Sequence, residues 1–93
     1  MKKPSRTKSL RLAQKLLQIR TGLNLSQAEL LERLGFGEEL FRSNISQYER
    51  GTRVPSPPVL LQYARVSGVT IEEIVDDELD LPRQLTGSRK GRR

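Results

Sequence analysis

Asn44, Ser46, Gln47 and Arg50 crowd a short stretch whose only apolar members are Ile45 and Tyr48. A side-chain amide can bond bidentately to an adenine edge, and a guanidinium to a guanine edge. A helix that turns these groups outward therefore suits the major groove of duplex DNA. A polar helix face taken alone is usually just solvated. Upstream, Ser26 and Glu29 form an S-x-x-E capping box, in which hydroxyl and carboxylate reciprocally satisfy backbone N–H groups. A helix opened in this way presents further N–H groups and the positive end of its dipole, which suits a phosphate. Enzymatic chemistry has little material. With no Cys and no His, disulfides, thiolate or imidazole metal sites, and Ser-His or Cys-His pairs are excluded. The carboxylates pair with no nucleophile and no metal-ligand set, so no catalytic residue, no metal and no cofactor is assigned.

Five short helices have to position these groups. Ser9 is the expected N-cap of the first, with Leu10, Ala13 and Leu17 on one stripe and Leu12, Leu16 and Ile19 beside it. Gly22 and Asn24 stop it near Thr21. The second follows Ser26, turns Ala28, Leu31 and Leu34 to one face with Leu30 adjoining, and ends at Gly35. GFGEE is a connection, after which Leu40 or Phe41 plugs the core. The third helix runs from about Ser43 to Arg50 with Ile45 and Tyr48 inward, and Gly51 closes it. Ser56 and Pro57 read as N-cap and first residue of the fourth, since proline there loses no needed hydrogen bond. Leu60, Tyr63, Ala64 and Ser67 line its inner side, and Gly68 ends it. Thr70 and Glu73 form a second capping box before a fifth helix containing Ile71, Ile74 and Val75. The fold class is all-α, a compact five-helix domain over 9–81, with flexible basic termini at 1–8 and 82–93.

Charge agrees with a polyanionic partner. The 93 residues carry a net charge of +6, unevenly spread. Residues 1–20 hold Lys2, Lys3, Arg6, Lys8, Arg11, Lys15 and Arg20 without an acid, the DDELD run at 76–80 is acidic, and SRKGRR at the end is basic. Phosphate contacts release counterions and give affinity independent of sequence. Lys2, Lys3, Arg6 and Lys8 are candidates for wrapping the duplex or entering a minor groove. No signal-peptide pattern and no apolar run of spanning length is present, so no membrane is assigned and the expected location is cytoplasmic, associated with the nucleoid.

LSQAELLERLG at 25–35, ISQYERGTRVPS at 45–56 and VLLQYARVSGVTIEEIV at 59–75 together resemble the Cro/C1-type (lambda-repressor-like, XRE-type) helix-turn-helix family, over roughly residues 10–76. That resemblance implies a five-helix domain, double-stranded operator DNA as partner, and a homodimer on the DNA. It makes Gln27 a phosphate contact at the start of the second helix, and Arg42, Ser43, Asn44 and Gln47 the base-facing group of the recognition helix. It sets Arg50, Thr52 and Arg53 where the following loop meets the phosphate backbone. It also pairs Arg20 with Glu49 as a structural link between the first helix and the recognition helix.

Two features depart from the family pattern. GFGEELFR inserts about four extra residues before the recognition helix, and Leu31 stands where a small residue normally allows close helix approach. A longer connection lets the two helices sit further apart, and it leaves the start of the recognition helix open. Glu38 and Glu39 would repel phosphate, so they are expected to point away from it. The leading expectation is a sequence-specific, non-enzymatic DNA-binding regulator, repressor-like, with an antitoxin regulating its own promoter as one form of it. The alternative is a protein-interaction module that bridges transcription proteins, docking a partner or second protomer through Asp76–Leu81.

Overall fold

The computed structural model describes residues 11–36 and 39–85. Five α-helices follow in order, α1 Leu12–Gly22, α2 Gln27–Leu34, α3 Arg42–Arg50, α4 Pro57–Ser67 and α5 Ile71–Val75. No strand occurs among the described residues, and no helix among them is long and apolar enough to cross a membrane. α1 packs on α3, α4 and α5, while α4 also touches α2 and α5. The core is thus shared by all five helices, with Leu16, Ile19, Leu30, Leu34, Ile45, Tyr63 and Ile74 fully enclosed.

α1 buries Leu12, Lys15, Leu16 and Ile19. The stripe expected through Ala13 and Leu17 is the outer one, for Ala13 is only half-buried and Leu17 is exposed. Ser9 and Leu10 lie outside the described residues. The helix runs one residue past Thr21, and Asn24, at φ +61°, takes the left-handed position after it. Gly22 serves a different purpose. A Cβ there would come within 2.9 Å of the Leu85 side chain, so glycine admits a close approach. Packing thus continues beyond the expected domain end at 81, since Leu85 is partly buried against the core. Residues 1–10 and 86–93, most of the two expected basic termini, lie outside the described residues.

α2 begins at its capping box. Ser26 Oγ accepts from the Glu29 N–H at 3.0 Å, and Glu29 Oε1 accepts from the Ser26 N–H at 2.8 Å. These bonds hold the Glu29 carboxyl below its ordinary value of 4.5. Gly35 at φ +83° ends the helix. Leu30 and Leu34 are its buried residues, and Leu31 packs partly buried beside them. In the longer connection, the Phe36 carbonyl accepts from the N–H groups of Glu39 (2.9 Å) and Leu40 (2.8 Å). That turn drives Leu40 into the core at 8% exposure and leaves Phe41 63% exposed.

α4 buries Val59 and Val66 as well as Tyr63, Ala64 and Ser67, while Leu60 is only half-buried. Thr70 and Glu73 close the capping box of α5 at 3.0 and 2.9 Å. Behind α5 the chain turns back over α1. Lys15 is wholly enclosed, and its ammonium donates to the carbonyls of Glu73 (2.8 Å), Asp76 (2.8 Å) and Leu79 (2.6 Å). Arg11 donates to the Asp77 carbonyl at 2.7 Å and pairs with Asp80 at 2.7 Å. Much of the hydrogen-bonding capacity of the acidic 76–80 run, weighed above as a docking surface, is therefore used within the chain.

One core group has no partner among the described residues. The Tyr63 hydroxyl is buried without a hydrogen bond, and burial, with Glu49 and Tyr48 near, pushes its phenol above the ordinary value. An unsatisfied buried hydroxyl costs about 1–3 kcal/mol. Tyr63→Phe, which keeps the ring and removes the orphan, is expected to leave the thermal midpoint unchanged or to raise it in a melting experiment. A marked drop would mean that the hydroxyl is satisfied in solution.

Candidate nucleic-acid interface

α3 begins at Arg42, one residue earlier than its sequence signals. The residue before it, Phe41, has no side-chain acceptor, so the usual N-cap bond is absent. Asn44 supplies the substitute from within the first turn, its Oδ1 accepting from the Phe41 N–H at 2.9 Å. Gly51 at φ +79° closes the helix. Ile45 and Tyr48 are its buried residues, leaving Arg42, Ser43 and Arg50 exposed and Asn44, Ser46 and Gln47 half-buried.

Three side chains tie α3 to its neighbours. Arg20 of α1 grips Glu49 of α3 through two bonds, Nε to Oε2 at 2.6 Å and Nη2 to Oε1 at 3.1 Å. Its remaining nitrogen, Nη1, donates to the Leu25 carbonyl at 3.0 Å, just before α2. Gln27, at the first position of α2, donates from Nε2 to Glu49 Oε1 at 3.2 Å. The pair is well shielded, with 18% of the Arg20 side chain and 6% of the Glu49 side chain exposed. The bond to Glu49 also holds the Arg20 guanidinium above its ordinary value, so it stays charged. One ion pair therefore fixes the junction of α1, α2 and α3.

The polar groups differ in how free they are. Arg42, Ser43, Arg50 and Arg53 are exposed, and their side chains make no hydrogen bond or ion pair among the described residues. Asn44 is occupied at both ends of its amide, with Oδ1 on the Phe41 N–H and Nδ2 donating to Gln47 Oε1 at 3.3 Å. Gln47 keeps both Nε2 hydrogens and a second lone pair on Oε1, the set that an adenine edge requires. Gln27 has one Nε2 hydrogen on Glu49 and a second one open. The Thr52 hydroxyl donates to the Gln47 carbonyl at 3.3 Å, so it would have to rotate to donate to a phosphate. Glu39 lines a shallow groove with Phe36, Tyr48, Arg53 and Val54, and Glu38 lies outside the described residues.

The structure also shows which charges the sequence pattern overcounts. Of the basic residues at 1–20, Arg11, Lys15 and Arg20 are engaged inside the fold. The exposed cations around α3 come from the middle of the chain instead. The double role of Asn44 was missed, because a three-residue spacing to a phenylalanine carries no capping signal.

A family model described as a helix-turn-helix domain matches residues 13–79. The chain belongs to this family. Membership makes DNA binding its function class and DNA its partner, in a family of typically non-enzymatic domains. No curated protein and no solved structure gives a significant match to the chain.

Proposed function

We propose that this chain is a Cro/C1-type transcription regulator, repressor-like in action, that reads an operator in double-stranded DNA. The observation that carries the reading is the outer face of α3. It joins guanidinium groups without a partner among the described residues, Arg42 and Arg50, to the Gln47 amide, on a helix anchored by a shielded ion pair. α3 lies in the major groove, with Arg42, Ser43, Asn44 and Gln47 toward the base edges and Gln47 as the adenine-reading amide. Gln27, Arg50, Thr52 and Arg53 set the register through phosphates. The protein acts as a homodimer on a two-fold symmetric site, one α3 per half-site. Occupancy of the operator blocks or recruits polymerase.

The test is fluorescence anisotropy on random-sequence duplex at low and near-physiological salt, followed by selection of the operator from a random library. Wild type should bind the random duplex with an affinity that falls steeply as salt rises. On the selected operator, Gln47→Ala should lose about 1–3 kcal/mol, the worth of one bidentate base contact. Absence of binding to any duplex at low salt would sink the reading.

A further inference from the structure

Phe41 is the most exposed large apolar side chain among the described residues, at 63%. Its neighbour Leu40 already fills the adjoining core position, so the ring contributes little to folding. Its backbone is nonetheless held firmly. The residue is extended, at φ −123° and ψ 162°, and its N–H is bonded to Asn44. The Cα–Cβ bond that carries the ring is therefore held at the head of α3, directly before the exposed Arg42 and Ser43.

This exposed phenyl adjoins Arg42, whose guanidinium has no partner among the described residues and favours a polyanion. Residues at the head of a recognition helix are the ones that meet base edges. The major-groove edges of the four bases carry a single apolar group, the C5-methyl of thymine. We propose that Phe41 is a specificity-determining residue that packs its ring on a thymine methyl in each half-site. This inference rests on the DNA-binding reading above and adds to it a base and a contact.

The operator selected by wild type is remade with each thymine replaced singly by deoxyuridine, which removes the methyl and keeps the hydrogen-bonding edge. Wild type and Phe41→Ala are then titrated against the series by anisotropy. Wild type should lose about fourfold at one position per half-site, equivalent to about 0.8 kcal/mol for one methyl-sized group. Phe41→Ala should bind the parent operator more weakly and be indifferent to uridine at that same position. It should keep the wild-type melting temperature and the salt-sensitive binding to random duplex. If wild type binds its operator but every uridine replacement affects both proteins equally, the thymine contact is overturned while the DNA-binding reading stands. If wild type binds no duplex at low salt, both fall.

Discussion

Arg20→Ala is expected to destabilise the fold by about 3–5 kcal/mol, the range for removing one partner of a buried ion pair. The magnitude follows from what is left behind. Glu49 is 6% exposed at its side chain, and without Arg20 it keeps a single side-chain partner among the described residues, the Gln27 amide at 3.2 Å. The Leu25 carbonyl loses its donor as well. For a domain of this size, 1 kcal/mol moves the thermal midpoint by roughly 4–8 °C. A loss of about 3 kcal/mol should therefore lower it by more than roughly 10 °C. The chain contains its own comparison. Arg11 pairs with Asp80 at a similar distance, 2.7 Å, but with side-chain exposures of 37% and 83%. Asp80→Asn should cost under about 1 kcal/mol, as exposed pairs do. Replacing both Arg20 and Glu49 with leucine should recover part of the loss, because no charge is then stranded. Urea denaturation of the two single variants and the double variant measures this. A cost under about 1 kcal/mol for Arg20→Ala would mean that water reaches the pair and that apolar packing alone holds α3.

That ion pair is also the point at which a sequence resemblance and a structural element meet most directly. Arg20 and Glu49 are 29 residues apart, and no local pattern joins them; only the family resemblance implies the pair. Local devices need no such help. The boxes at Ser26–Glu29 and Thr70–Glu73 are legible because both partners lie within one turn, so the residue types alone specify the bonds. The same holds for Gly35, Gly51 and Gly68, each of which ends a helix with positive φ.

Legibility fails where a choice depends on the path of the chain. Leu40 and Phe41 are adjacent and both apolar, so periodicity cannot say which one enters the core. The turn hydrogen bonds at the Phe36 carbonyl decide it. In α1, apolar residues occur on two adjoining stripes, and the inner one proves to be the stripe that contains Lys15. Burying an ammonium is costly unless each of its hydrogens finds an acceptor. The acceptors here come from a segment about 60 residues away, so nothing near Lys15 announces them. At the candidate interface the same limit applies. The outward residue types of α3 are legible, but the Asn44 bonds that make its amide less available than that of Gln47 are not.

Lys15→Met is the second large expected effect, a loss of about 2–4 kcal/mol. Methionine reproduces the length of the apolar stem and fits the same buried channel, so little packing is lost. What disappears is the donor set. All three ammonium hydrogens have carbonyl acceptors, from Glu73, Asp76 and Leu79. Two of these acceptors lie at the C-terminal end of α5, where the helix dipole favours a cation. Hydrogen bonds to a charged group are worth about 1.5–3 kcal/mol each, and a buried carbonyl left unpaired costs about 1–3 kcal/mol. The total stays below a simple sum because Leu79 is exposed, and water can take over at its carbonyl. Burial and the Arg11 guanidinium push the Lys15 ammonium below its ordinary value, while Asp77, Asp76 and Asp80 pull it up. Lys15→Met removes a cation from among these acids, so a loss of stability that persists at high salt separates the carbonyl bonds from long-range attraction. Denaturant melts give the magnitude, and amide hydrogen exchange gives the location. Faster exchange over residues 74–81, with α3 unchanged, is the expected pattern. An unchanged midpoint would mean that the turn after α5 is held by the partly buried Leu81 and by Arg11 rather than by the buried amine.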